Sequence, residues 1–236
     1  MIQSTHRVAR LVVILIAQMT WMTAQGADQG TVVISISGNS LRVPISYLPA
    51  RERTLYSGAT KVEALRLQVT LPDLGPFVDP EDNSPVFKRY QNELSILVDA
   101  ARVNSDADRS KFFEKYSSEW TKNREKVSSQ YSLQRFILPA TKSSPLGGDD
   151  VYVSTDKKLG SAFITCTPER FPAPDSEQAD EMRRKGQLVR NPLCNHIFFA
   201  STLPNTLIRV SYFRQHLHDW SLIQTKVSHL LENMRY

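Results

Sequence analysis

The sequence predicts an α+β protein: an antiparallel sheet of six to eight strands with two main helices packed on it, one of them closing the chain. Three observations carry this expectation. Short β-branched or alternating segments recur along the chain, separated by proline, glycine and asparagine. Two longer segments, 105–126 and 215–233, instead repeat their apolar residues every three or four positions. Strand–helix–strand alternation is scarce, which argues against a parallel sheet.

In chain order, the first segment is an address. Arg7 and Arg10 precede an apolar run opening at Leu11 and diluted by Gln18, Thr20 and Thr23, and Ala24-Gln25-Gly26 is a small-x-small cleavage site. That is the anatomy of a secretory signal peptide over residues 1–26, leaving 27–236 as a single exported domain in the periplasm. The rival reading is a retained inner-membrane anchor facing the periplasm. Residues 11–24 fall short of the roughly 20 apolar residues a span needs. No cysteine lies near the cleavage site, which argues against a lipoprotein.

Residues 31–37 and 41–45 read as a hairpin around Gly38-Asn39, with Pro44 making the second strand short or an edge. Residues 51–60 read as a loop. Across 62–71, Leu65, Leu67, Val69 and Leu71 alternate with Arg66, Gln68 and Thr70, a strand with one wet face that Pro72 ends. The 72–85 stretch, with four prolines and four acids, reads as a surface loop. Residues 93–103 read as a strand, with helix as the alternative. In the helix predicted at 105–126, Ser105 or Asp106 serves as cap, and Phe112, Phe113, Tyr116 and Trp120 share one face suited to the core or to a partner.

Segments 133–138, 151–154 and 161–167 read as strands, then 168–192 as a long charged loop with one short helix near 176–185. Strands at 196–200 and 207–213 follow. The terminal helix aligns Leu217, Trp220, Ile223, Val227, Leu231 and Met234 on one face, which should cover the sheet.

The composition excludes several classes. With 236 residues, 41% apolar and 22% charged, 9 Gly, 13 Pro and 2 Cys, the chain is no fibre, collagen, coiled-coil rod, disulfide-dense miniprotein or polytopic membrane protein. Removing residues 1–26 takes away two arginines and no acid, lowering the formal charge from +5 to +3. A balance that mild gives no reason to expect a nucleic-acid partner. Basic runs such as Arg183-Arg184-Lys185 read as solvated faces.

Cys166 and Cys194 are an even pair in an exported chain, so a disulfide is expected. Closing a loop of about 29 residues stabilises by about 3.5 kcal/mol in the chain-entropy model.

No nucleophile elbow, zinc helix, phosphate loop or dinucleotide fingerprint is present. His216 and His218 point about 200° apart on a helix, and His229 lies about 16 Å beyond His218, so a metal would need His196 and an acid brought in by the fold. Residues 79–83 faintly resemble a calcium loop but have Ser84 and Tyr90 where the loop needs Gly and Glu. Asp149-Asp150 beside Gly147-Gly148 reads as turn chemistry, with an acid pair as the alternative. No catalytic residue, metal or cofactor is therefore expected.

Three stretches carry a resemblance. They are Leu41-Arg42-Val43-Pro44-Ile45-Ser46-Tyr47-Leu48, then Leu71-Pro72-Asp73-Leu74 followed by Pro76, and, after the cysteine pair, Leu217-His218-Asp219-Trp220-Ser221-Leu222-Ile223. Together they resemble a loose group of proteobacterial exported proteins encoded beside type VI secretion effectors. The resemblance implies a periplasmic immunity protein that binds and neutralises an effector such as a phospholipase. It carries no functional residue with it.

The expected function is therefore protein binding, most sharply effector inhibition, with the 72–85 and 168–192 loops as binding elements on a rigid sheet. The alternatives are a membrane-held structural subunit of an envelope assembly, if residues 1–26 stay attached, and a hydrolase. A hydrolase would need two or more of His196, His216, His218, Asp149 and Asp150 to converge in one pocket.

Overall fold

The computed structural model describes residues 30–56, 60–79, 90–103, 105–127, 129–139, 147–154, 161–187 and 189–236. The signal segment lies outside these residues. The described part is α+β, as the patterning predicts.

Strands β1 (Thr31–Ile36) and β2 (Asn39–Pro44) form the N-terminal hairpin. Its turn is Ser37-Gly38, one residue earlier than the sequence reading, and both residues take positive φ, as a tight two-residue hairpin turn requires. Asn39 instead starts β2, and its buried amide donates to the Ile36 and Pro204 carbonyls. The segment expected to be a loop at 51–60 holds a 3₁₀ turn, Ala50–Tyr56, and ends in β3 (Thr60–Val62), which pairs in parallel with β1. These three strands make a small sheet of order β2-β1-β3.

The main sheet is wholly antiparallel, in the order β5-β4-β6-β12-β11-β10-β9-β8-β7. Its strands are β4 (Ala64–Thr70), β5 (Gly75–Pro76), β6 (Glu93–Ala100), β7 (Glu125–Lys126), β8 (Leu133–Ile137), β9 (Asp150–Ser154), β10 (Phe163–Cys166), β11 (Leu193–Phe198) and β12 (Thr206–Phe213). The count exceeds six to eight because β5 and β7 are two-residue edge strands and because the N-terminal hairpin recruits β3 into a sheet of its own. Both edges of the large sheet are therefore short, which protects them from pairing with other chains.

Helix α1 (Asp106–Thr121) starts where expected: the Ser105 hydroxyl accepts from the Asp108 amide. It ends earlier than 126, at a turn where Asn123 takes positive φ, and β7 follows. Its aromatic face packs on the sheet edge-to-face, Tyr116 against Phe163 and Phe113 against Phe199. Only Phe113 is fully buried, and Trp120 stays 39% exposed. Helix α2 (Glu177–Arg184) is the short helix of the 168–192 loop, capped by Ser176.

The terminal helix divides in two, a 3₁₀ turn Arg214–Asp219 and α3 (Trp220–Asn233). Trp220, Ile223, Val227 and Leu231 bury one face of α3 against the large sheet. The chain then runs beside β2, with the Arg42 N–H donating to the Met234 carbonyl and the Tyr236 N–H to that of Ser40. The buried residues of both sheets join in one core.

Candidate functional site

One transverse row of the large sheet organises the surroundings of the candidate site. Through successive register pairs it runs Leu67, Ile96, Val210, His196, Ile164, Tyr152, Arg135. The neighbouring row runs Tyr212, Cys194, Cys166, Asp150. The Cys166–Cys194 disulfide thus links β10 to β11 at a register pair, where the 168–192 loop leaves the sheet and returns.

Asp150 opens β9 and is fully buried. This corrects the turn reading of Asp149-Asp150. Asp150 is the centre of a charge network: Arg135 lies 2.7 Å from its Oδ2, Arg214 3.2 Å, and Arg170 3.9 Å from its Oδ1. Glu169 closes the outer side, 3.0 Å from Arg214 and 3.5 Å from Arg135. The Tyr152 hydroxyl accepts from Arg214, and burial pushes its pKa up to about 12 against the opposing pull of Arg214 and Arg135. Asp149 pairs with Arg190 at 2.6 Å, while its carbonyl accepts from Arg124, whose pKa burial lowers.

Arg214 also anchors the loop. Its backbone N–H donates to the Pro192 carbonyl (2.6 Å) and its guanidinium donates to that of Thr167, so one residue grips both ends of the 168–192 loop.

On the other side, His216 reaches the 90–92 turn that leads into β6, and Lys226 of α3 reaches the start of the 72–85 loop. The His216 Nε2 lies 3.0 Å from the Gln91 carbonyl, so it carries the proton and donates. The Lys226 ammonium donates to the Pro72 carbonyl at 2.9 Å. Residues 80–85 of the 72–85 loop lie outside the described residues. Within the calcium-like stretch, Asp79 accepts from the Tyr90 hydroxyl (2.8 Å), and residues 80–83 again lie outside.

Turn Arg214–Asp219 therefore stands between the base of the 168–192 loop and the 90–92 turn, with a cleft on each side. One cleft, of about 220 Å³, has Leu71, Pro72, His216, Asp219 and Leu222 in its wall. The other, of about 480 Å³, is walled by Tyr131, Pro168, Phe171, Pro192 and His218, among others, with Arg214 and Glu169 also in its lining. Tyr131 and Leu222 are each about half exposed.

The structure does not bring the candidate hydrolase residues into one pocket. His216 and His218 line opposite clefts. His218 pairs with Asp219 at 3.1 Å, and His229 with Glu232 at 3.5 Å. His196 is sealed under α3 between Phe198, Tyr212 and Trp220, its Nε2 3.1 Å from the Gln224 side-chain oxygen. Burial pushes its pKa down to about 3. Asp149 and Asp150 are neighbours in the chain but pair with different arginines, Arg190 for the first and Arg135, Arg170 and Arg214 for the second. Among the described residues, no group of three or more His, Cys, Asp or Glu is arranged to hold a metal ion.

The arginine network is what sequence reasoning missed. Its members come from β8, β9, the 168–192 loop and the end of β12, and the only local signal was the Asp149-Asp150 pair.

No family model matches the chain, and no curated protein matches it in sequence. Two solved structures match its fold. An immunity protein of the Stenotrophomonas maltophilia type IV secretion system superposes with a TM-score of 0.55 at 16% identity, over 88% of this chain and 94% of that one. The iron-regulated outer membrane lipoprotein FrpD of Neisseria meningitidis gives a TM-score of 0.47 at 12% identity, over 87% and 92%. The first match establishes a shared fold.

Proposed function

We propose that this chain is a periplasmic immunity-type protein that binds and neutralises a secreted antibacterial effector, with the 72–85 and 168–192 loops as binding elements. The observation that carries the reading is that a chain of the same fold, matched over nearly its whole length, is a secretion-system immunity protein. The geometry supports the place of binding. The 168–192 loop is tied at both ends by Arg214 and across its base by the disulfide, and a restrained loop loses less entropy on binding than a free one. The Cys166–Cys194 bridge supports an oxidising, exported compartment.

The type VI system and a phospholipase target come from the sequence resemblance, whereas the solved neighbour serves a type IV system. The partner class proposed is thus a secreted toxic effector, and partner capture names the system. The chain is tagged between the signal segment and residue 30, because the C-terminal Tyr236 lies against β2. It is then purified from envelope extracts, and its partners and its own N-terminus are identified by mass spectrometry. The expected result is a stoichiometric toxin-like partner and a mature start near Ala27. Co-expression that leaves the captured partner fully toxic overturns the reading. An intact Met1 without such a partner moves it to a membrane-held subunit.

A further inference from the structure

A 3₁₀ turn repeats every three residues, so its side chains fall on three sides. In Arg214–Asp219 each side has a separate task. Arg214 and Leu217 point inward and also line the larger cleft: the Arg214 side chain is 10% exposed and Leu217 is buried. Gln215 and His218 line the larger cleft, and His216 and Asp219 the smaller one. The inward side holds the 168–192 loop through Pro192 and Thr167, and the His216 side holds the 90–92 turn before β6 through Gln91. Two residues apart in sequence, Arg214 and His216 grip different segments. The turn has no slack between them, because Leu217 is fixed in the core and Trp220, directly after the turn, donates from its indole N–H to the Tyr131 carbonyl at 2.8 Å.

We propose that the turn Arg214–Asp219 is a shared latch that couples the 168–192 loop to the 90–92 turn leading into β6, so that loosening the grip on one loosens the other. The use assigned to it, holding the 168–192 loop in a fixed position for an effector, rests on the function proposed above; the coupling itself does not. A turn this short, wedged at its centre, moves as a unit, and a contiguous packed element with grips on two sites is a physical route for coupling between them.

The test needs no partner. Hydrogen exchange is followed amide by amide by NMR in the mature chain carrying His216→Ala, which removes one outward grip and no buried charge. The cross-turn reporters are the amides of Phe171 and Leu193, bonded to the Pro168 and Asn191 carbonyls. The direct reporter is the Glu93 amide, bonded to the Tyr90 carbonyl. The latch predicts exchange about fivefold faster at Phe171 and Leu193 as well as at Glu93, the factor that losing one hydrogen bond gives, with the β1 and β2 amides unchanged. The reciprocal variant, Arg214→Lys, should speed exchange at Glu93 in turn; should it fail to fold, His216→Ala decides alone. Faster exchange at Glu93 with Phe171 and Leu193 unchanged overturns the coupling, as does uniform acceleration that includes β1 and β2. A failed partner capture would leave this result standing, so the two proposals fail separately.

Discussion

One face of the large sheet carries two buried polar centres, and they are held in opposite ways. His196 lies in the half that α3 covers, among Ile164, Val210, Phe198 and Trp220, and Gln224 alone serves its Nε2. Asp150 lies one row over and two strands away, in the half that the 168–192 loop covers, with three arginines around it. Burial solves the first case by keeping the imidazole neutral, at little electrostatic cost. A carboxylate so deep needs compensating charge, because removing an ion from water costs several kcal/mol that only close partners offset. The terminal helix can therefore be an ordinary amphipathic lid, while the other half of the sheet is closed by a charge clamp that also fixes a loop.

The largest expected effect breaks the clamp. Asp150→Asn leaves Arg135, Arg170 and Arg214 facing one another around a neutral amide. It should lower unfolding stability by about 3–5 kcal/mol, the cost typical of removing one partner of a buried ion pair. Urea denaturation at pH 7 measures it. A loss below about 1 kcal/mol would mean that the network is as weak as a surface pair and that the contrast with His196 does not hold.

The disulfide comes next. It sits in the same row as Asp150, but β10 and β11 already pair from Phe163 up to the bridge itself, so its work is done chiefly on the unfolded chain. Replacing both Cys166 and Cys194 by Ala should cost about 3.5 kcal/mol in the urea transition. The far-UV circular dichroism of the folded variant should stay that of the wild type. Loss of sheet signal under native conditions would show instead that the bridge holds the strand ends together.

How much of this was legible follows the same division. The half under α3 was readable because its determinants are periodic and local. Leu65, Leu67 and Val69 alternate along one strand, and Trp220, Ile223, Val227 and Leu231 recur along one helix. The clamp was not, because its meaning is non-local: Asp150 answers Arg135 fifteen residues upstream and Arg214 sixty-four downstream. Nothing in a local window separates a buried Asp at the start of a strand from one in a turn, and the two glycines beside it favoured the turn. The 3₁₀ start of the terminal helix was hidden for a related reason. Leu217 and Trp220 are three apart, a spacing that both helix types satisfy.

His196 sharpens the comparison through pH. Its pKa is about 3 in the folded chain, against an ordinary 6.5 once unfolded. Below pH 6.5 the unfolded chain binds a proton that the folded chain refuses. Stability attributable to this residue is therefore complete above pH 6.5 and falls by about 1.4 kcal/mol per pH unit on the way down towards 3. Urea midpoints of the wild type and His196→Gln, compared at pH 7 and pH 5, should show the wild type losing about 2 kcal/mol more, since the carboxylates titrate alike in both. Equal losses would mean that the core admits the charged ring, and His196 would then resemble Asp150 more than it differs from it.

The smallest effect is expected on the opposite face of the same strands. Arg209 on β12 lies 2.8 Å from Asp99 on β6, about as close as Arg135 is to Asp150, yet its side chain is 53% exposed. Water already solvates the arginine there, while the aspartate side chain is 21% exposed, so forming the pair gains little, and holding two side chains in one geometry costs entropy. Arg209→Ala should change unfolding stability by no more than about 0.5 kcal/mol. Set beside Asp150→Asn, this compares two arginine–aspartate contacts of nearly equal length that differ chiefly in burial. If the two variants lost comparable stability, contact distance and not desolvation would govern both, and the clamp would owe nothing to being buried.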